Sequence, residues 1–413
     1  NGPVTRDPKV IKGEDGLYHM FLTTVLVKEN LGCLAHYASR DLENWEDLGV
    51  CLDLNDSWTC QDYWAPEVIF HNGNYIMHYS ARRKQDGSLR IGVAVSKDPE
   101  GPFTDAHNGP MFDLGYAAID GHVFIDDDGQ AYMYWGNPDV YYVKLNEDMI
   151  STSGEIVKLP KQQHYQEGPW CYKRNGRYYM AFASTCCPEG IGYAMSDSPT
   201  GPWTTMGYIM EPTHRSRGNH PGIIDYKGKS YVFGLNYDLL RIDTPQHHER
   251  RSVSVAEMKY NEDGTIQTVP YWKDTVLEQV GTFDPYQKVE AETMAWGYGL
   301  KTAVSKKYGI YLTDINDGET LTLRGVDFGK KGARKFSTCL ASAEGGCSIE
   351  IHLDSAEGLM VGKIDVTATG GPKAFKEFTC AVKDAKGVHD LVFVFRGKPE
   401  TNLMNWNRWE FTF

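Results

Sequence analysis

Five times between Asp7 and Tyr231 an apolar run meets a glycine turn, and a tyrosine follows that glycine within three residues. The turn glycines, Gly16, Gly73, Gly129, Gly176 and Gly228, stand 57, 56, 47 and 52 residues apart. The fullest unit runs from Asp120 to Gly136, where an alternating strand enters an Asp-Gly turn and an aromatic-rich strand leaves it, a strong hairpin signal. Such a period suits one sheet of about four short strands per repeat, and these sheets bury their faces against one another. The pattern therefore predicts an all-β chain beginning with a five-bladed β-propeller. Ile91 to Phe103 and Ile191 to Trp203 repeat a second element, a strand closed by a Gly-Pro-aromatic turn, which supports the period independently of the glycines.

The repeat also orders the chemistry. Nine residues before Gly16, Gly129 and Gly176 stand Asp7, Asp120 and Glu167. Equivalent positions at the start of the innermost strand lie at one end of a propeller's channel, so the three carboxylates are expected to meet on its axis. Cleavage of a glycosidic bond by water needs one carboxylate to deprotonate the water and one protonated carboxyl to assist the leaving oxygen; about 6.5–9.5 Å between them leaves room for the water and inverts the anomeric centre. A third acid raises the general acid's pKa by like-charge repulsion and keeps it protonated near neutral pH. An aspartate before Pro or Gly is by itself an ordinary turn former. Three acids at one repeat offset, one of them a glutamate, favour the chemical reading.

Composition narrows the partners. Among 413 residues, 55 acidic side chains face 42 basic ones, a formal charge of −13 with no basic stripe, which disfavours nucleic acid and leaves uncharged glycans open. No apolar run approaches the ~20 residues that span a bilayer. The nine cysteines form no Cys-x-x-Cys pair and complete no zinc spacing; they read as buried small hydrophobes, with room for one or two disulfides. After Trp272 the repeat stops. We divide the chain into a propeller over 1–275, a linker over 276–287 and a β-sandwich of jelly-roll type over 288–413, where short alternating strands and Gly-rich turns call for no helix.

Arg6-Asp7-Pro8-Lys9-Val10-Ile11, Trp64-Ala65-Pro66-Glu67-Val68, Ile119-Asp120-Gly121-His122 through Asp128-Gly129, and Glu167-Gly168-Pro169 together resemble, in order, the signatures of glycoside hydrolase family 43. The resemblance implies an inverting enzyme acting on arabinose- or xylose-containing plant polysaccharides or oligosaccharides, an α-L-arabinofuranosidase or β-xylosidase first. It implies Asp7 as general base, Glu167 as general acid and Asp120 as the group that tunes and orients that acid. It further implies Trp64 as a wall of the sugar pocket, Arg251 as an arginine near the acidic centre, and His220 as a histidine pointing into the channel toward a calcium ion or a water cluster. The chemistry itself calls for no cofactor.

Val289-Glu290-Ala291-Glu292, Arg324 to Gly329, Gly345 to Ser355 and His389 to Phe395 resemble a carbohydrate-binding module of family 6. That resemblance implies a structural calcium with oxygen ligands from the first and last strands. Glu290 and Glu292 are the candidates at the start. At the end Asn407 supplies an amide where relatives commonly have an acid. In the sugar cleft, Phe375 and Asn405 are the candidate contacts, with Pro372 and Phe375 standing where relatives often have tryptophans. The expected partner is a plant cell-wall glycan or its oligosaccharides, the expected state a monomer, and the expected location secreted, periplasmic or cell-surface. Competing readings are an endo-arabinanase, a galactan-directed hydrolase, and a catalytically weak glycan-binding protein on an inherited scaffold.

Overall fold

The computed structural model describes residues 4–26, 31–52, 57–114, 118–215, 218–236, 252–272 and 281–413, and its elements are strands throughout. Through Met258 the described strands form consecutive antiparallel meanders. Strands β1 (Val4–Lys12), β2 (Tyr18–Leu26), β3 (Leu31–Ser39) and β4 (Trp45–Val50) make the first sheet. The second holds β5 (Thr59–His71), β6 (Asn74–Arg83), β7 (Leu89–Ser96) and β8 (Thr104–Asp105). The third holds β9 (His122–Ile125), β10 (Ala131–Trp135), β11 (Tyr141–Leu145) and β12 (Thr152–Lys158). The fourth holds β13 (Tyr165–Arg174), β14 (Arg177–Ser184), β15 (Glu189–Ser196) and β16 (Thr204–Thr213), and the last β17 (Gly222–Tyr226), β18 (Lys229–Asn236) and β19 (Ser252–Met258). The turn glycines lie between the first two strands of each sheet with φ between 72° and 85°, left-handed backbone that a side chain would disfavour.

The sheets form a β-propeller because each buries its faces against the next. Phe21 and Leu34 of the first pack with Tyr63 and Val68 of the second. Ile76 and Ile91 meet Val123 and Met133, Tyr134 meets Tyr165 and Phe182, and Ala181 and Ile191 meet Val232 and Ala256. The ring closes where Val10, Met20 and Leu22 pack against Tyr231 and Phe233. Burial of each such side chain contributes roughly 1.5–3 kcal/mol.

The inner strands enter the sheets by a shared device. Register shifts fall between Arg6 and Lys9, Trp64 and Glu67, and Glu167 and Trp170. Asp7, Ala65, Asp120 and Gly168 have φ of 54°, 46°, 62° and 61°. An extra residue at the mouth of each strand leaves the ladder and turns its side chain toward the channel, and left-handed backbone at non-glycine positions is held there by the surrounding structure.

From Val289 onward two sheets, of six and five strands, face each other in a β-sandwich. Their core includes Leu312, Leu321, Phe336, Ile351, Phe393, Trp406 and Trp409. The sandwich docks on the β3–β4 end of the first sheet: Trp45 and Met294 exchange backbone hydrogen bonds of 3.0 Å each way. Beside them the Asn44 amide donates to Arg324 O at 2.9 Å and accepts from Arg324 N at 2.7 Å, pairing like a short strand. Of the linker expected over 276–287, residues 276–280 lie outside the described residues, while Phe283 and Pro285 are hydrogen-bonded to the sandwich at Gly325, Asp327 and Phe411.

Cysteine chemistry departs in one place from the expectation of buried thiols. Cys186 and Cys187 form a disulfide with each other in the exposed β14–β15 loop. Cys51, Cys171, Cys339 and Cys347 are buried thiols, Cys380 is half-buried and Cys60 is exposed.

Candidate active site

The entrances of β1, β5, β9, β13 and β17 converge on an open cavity of about 340 Å³, lined by Asp7, Lys9, Glu67, Asp120, His122, Trp170 and His220. His220, in the segment leading to β17, holds the centre. Its Nδ1 lies 3.3 Å from Asp7 Oδ1, and its Nε2 lies 3.4 Å from Glu167 Oε1 and 3.7 Å from Asp120 Oδ2. Asp7 and Glu167 thus stand on opposite nitrogens of one imidazole. Donor atoms of Asp120, Glu167 and His220 lie within 4.8 Å of one another.

Asp7 is held from within its own sheet, and Asp120 and Glu167 are held from the sheet before theirs. Thr23 Oγ1 donates to Asp7 Oδ2 at 2.7 Å while accepting from Ala65 N at 2.7 Å. The Asp120 amide donates to Ser80 Oγ at 2.9 Å. Asn137 Nδ2 donates to Glu167 Oε2 at 2.5 Å. The Asp7 and Asp120 side chains are 6% and 5% exposed, whereas Glu167 keeps 21% of its side chain in contact with solvent.

Electrostatics in the channel differ from the sequence expectation. Burial alone would push the His220 imidazolium down, but Asp7, Asp120 and Glu167 together raise its pKa to about 10. Burial would push the Glu167 carboxyl up; the adjacent imidazolium and the Asn137 donor instead hold it below its ordinary value, against the charge of Asp7. Like-charge repulsion from Asp7 is thus outweighed at Glu167 by the His220 imidazolium and the Asn137 donor.

A second charged layer lies beside the first. Lys9 Nζ is 2.8 Å from Glu67 Oε1, His122 Nδ1 is 3.2 Å from the same oxygen, and His122 Nε2 donates to Cys171 O at 2.8 Å. The indole of Trp170 stacks on His122 at 4.7 Å and takes Lys9 Nζ at 4.4 Å from its centroid. Glu67 is fully buried, which would raise its pKa, yet Lys9 and His122 bring it down to about 2. The sequence reading did not single out these four residues as site groups. Their signal was the period of two along an inner strand: Lys9 and His122 each follow an acid by two positions, and Trp170 follows Glu167 by three across a bulge.

The other predicted residues fall in separate places. Trp64, half-exposed at the β5 entrance opposite Ser80, adjoins the cavity wall made by Ala65, Pro66 and Glu67. Arg251 lies outside the described residues. In the sandwich, Glu290 pairs with Lys288 and its backbone faces Arg408, while Ala291 N donates to Asn407 O at 2.9 Å, so Glu290, Glu292 and Asn407 share one corner. Glu292 is 4% exposed, and its Oε2 has no hydrogen-bond partner. Burial, then the charges of Glu290, Glu46 and Asp47, push that carboxyl up to about 9. The Asn407 amide donates to Tyr308 O at 2.8 Å. Phe375 is half-buried beside Tyr308, with ring centroids 4.4 Å apart, and Asn405 is committed to Thr313, Asn402 and Pro372.

Comparison with known proteins places both halves. Residues 3–266 match the model of glycosyl hydrolases family 43, and residues 290–413 that of carbohydrate binding module family 6. The chain is 30% identical to an arabinoxylan arabinofuranohydrolase of Bacillus subtilis (strain 168), over 93% of this chain and 83% of that protein. It is 29% identical to an arabinoxylan arabinofuranohydrolase of Paenibacillus polymyxa, over 94% of this chain and 68% of that protein. A crystal structure of a family 43 arabinoxylan arabinofuranohydrolase from Bacillus subtilis in complex with cellotetraose superimposes with a TM-score of 0.85 at 27% identity, covering 99% of this chain and 96% of that one. With the family match spanning every strand entrance that supplies the channel cluster, the chain belongs to glycosyl hydrolases family 43 and is a glycosidase.

Proposed function

We propose that this glycosidase removes arabinofuranosyl or xylosyl units from arabinoxylan or its oligosaccharides with inversion at the anomeric carbon. The observation that carries this reading is the placement of Asp7 and Glu167 on opposite nitrogens of His220. A contact of 3.3 Å, the width of the ring and a contact of 3.4 Å lie between the two acids, with Asp120 beside Glu167. That arrangement suits the wide pair of an inverting enzyme, which needs about 6.5–9.5 Å, better than the ~5 Å pair of a retaining one.

In this reading Asp7, held by Thr23 and ionised, takes a proton from the attacking water. Glu167, the most exposed of the three, faces the leaving oxygen and delivers the proton. Asp120 and His220 stand beside it, and a sugar that excludes water weakens the carboxylate form of Glu167 and favours transfer of a proton onto it. A calcium ion in the channel would lie among Asp120, Glu167 and His220 and would compete with the imidazolium proton for that place. In the sandwich, the buried and unpartnered Glu292 Oε2 beside Glu290 suits a hard cation, with Asn407 as a neutral third contributor.

We further read the consecutive sheets as five blades, the division of the chain as 1–275 and 288–413 about a linker, and the protein as secreted, since its polymeric substrate lies outside the cell.

The test is hydrolysis of an aryl α-L-arabinofuranoside, an aryl β-D-xyloside and arabinoxylan, with Glu167→Gln as control. Release of arabinose or xylose, lost in the variant on the polymer, is expected. Cleavage of neither sugar, or full polymer activity in Glu167→Gln, would overturn the reading. Oligomeric products from arabinan or galactan would favour the endo-acting or galactan-directed alternative.

A further inference from the structure

We propose that Asn137 is a positioning residue that aligns Glu167 for protonation of the leaving group; the proposal rests on the assignment of Glu167 as general acid. Asn137 lies in the loop joining β10 to β11, in the sheet preceding that of Glu167, and is exposed at the channel mouth. It reaches across to donate its Nδ2 proton to Glu167 Oε2 at 2.5 Å. The direction of the amide is fixed twice over. A carboxylate oxygen can only accept, and Gln166 Nε2 donates to Asn137 Oδ1 at 3.2 Å from the other side.

The loop that carries Asn137 is itself pinned. Gly136 N donates to Ile119 O at 3.1 Å, and Tyr165 OH donates to Gly136 O at 2.8 Å, so the segment is tied both to the strand entrance of Asp120 and to the residue two before Glu167. At Gly136 the backbone has φ of 126°, and a Cβ would come within 2.1 Å of Asp139 O, so the sharp turn that aims Asn137 requires glycine.

With His220 Nε2 at Oε1 and Asn137 Nδ2 at Oε2, both oxygens of Glu167 are held, which fixes the carboxyl plane. Each oxygen retains a second lone pair, and the solvent-facing one is left to carry the proton that passes to the leaving oxygen. Asp7, Asp120, Tyr165 and His220 are titratable groups that face Glu167, and the hydrogen bond at Oε2 comes from Asn137. Without the amide only the His220 contact at Oε1 restrains rotation of the carboxyl about its last bond. A misplacement of about 1 Å in a catalytic group can lower the rate ~100-fold.

The experiment compares wild type, Asn137→Ala, the isosteric Asn137→Asp and Glu167→Gln on aryl glycosides of one sugar, with leaving groups from dinitrophenol, which departs unaided, to unsubstituted phenol, and on an oligosaccharide. Both Asn137 variants are expected to lose roughly 10- to 100-fold in kcat on the phenyl glycoside and the oligosaccharide and less than about 3-fold on the dinitrophenyl glycoside. KM should stay nearly level. A merely structural role would lower all rates together, and equal rate ratios across the series, with or without loss, overturn the inference. If Glu167→Gln itself shows no dependence on the leaving group, the general-acid assignment fails and this inference falls with it; if Glu167→Gln shows the dependence and the Asn137 variants do not, only the inference falls.

Discussion

The propeller channel and the loop edge of the sandwich present similar residue types, aromatic rings beside amides and carboxyl groups, yet they are built to different ends. In the channel, Asp7, Asp120 and Glu167 from separate strand entrances converge on His220 beside an open cavity, and their charges raise its pKa. At the sandwich edge the Asn405 amide is consumed by Thr313, Asn402 and Pro372, and Phe375 rests against Tyr308 and Tyr311. Polar groups converging on open space mark a site; the same groups satisfied by their neighbours mark a fold. The sandwich does contain a carboxyl that its neighbours leave unsatisfied, Glu292, buried at the corner where the first and last strands meet.

The contrast can be broken at several points. The largest effect is expected from Asp7→Asn, which removes the proposed base without changing the shape of the channel and should lower kcat roughly 10³-fold. Phe375→Ala should leave hydrolysis of an aryl glycoside within about 2-fold. A comparable loss from Phe375→Ala would mean that the sandwich edge takes part in the chemistry.

Next comes Glu67→Gln, which strands Lys9 and His122 without their anion. Breaking a buried charge network of this kind costs about 3–5 kcal/mol, to be read from denaturant unfolding. The pH dependence follows in sign. The Glu67 carboxyl is depressed from 4.5 to about 2, so its contribution to stability is full above pH 4.5 and is lost as pH falls through about 2. Glu67→Gln should flatten that part of the acid unfolding curve.

Asn405→Ala should destabilise the sandwich by about 1–3 kcal/mol, because it leaves Thr313 and the Pro372 carbonyl without partners. A calorimetric scan showing an unchanged sandwich transition, together with lost glycan binding, would instead assign Asn405 to a sugar site. The smallest effect is expected from Asn44→Ala. It removes the two hydrogen bonds to Arg324 that clasp the sandwich to the propeller, worth about 1–2 kcal/mol together, and should separate the two unfolding transitions.

Local chemistry explains what could be read from the chain alone. The hairpin glycines are legible because a tight left-handed turn favours glycine, and the offset of nine residues carries Asp7, Asp120 and Glu167 to one cluster around His220 because inner strands of a repeat begin at one end. Lys9, His122 and Trp170 were within reach of the same periodicity. Glu67 was visible only as part of a motif, since its meaning depends on partners in two neighbouring sheets. Asn137 has no counterpart at the repeat offset and is joined to Glu167 only by the packing of adjacent sheets, so no spacing announces it. His220 was visible as a residue, but its charge was not: a raised pKa comes from three carboxylates whose distances exist only in the folded chain. The Cys186–Cys187 pair is adjacent in sequence, and nothing in composition distinguishes such a pair from two thiols.

The central claim is that Asp7 and Glu167, held apart across His220, act on a glycosidic bond through an intervening water. The most direct test is the configuration of the sugar first released from an aryl glycoside, followed by proton NMR before mutarotation. Release of the inverted anomer is predicted. Release of the retained anomer would require a covalent glycosyl-enzyme intermediate on one of these carboxylates and would contradict the account.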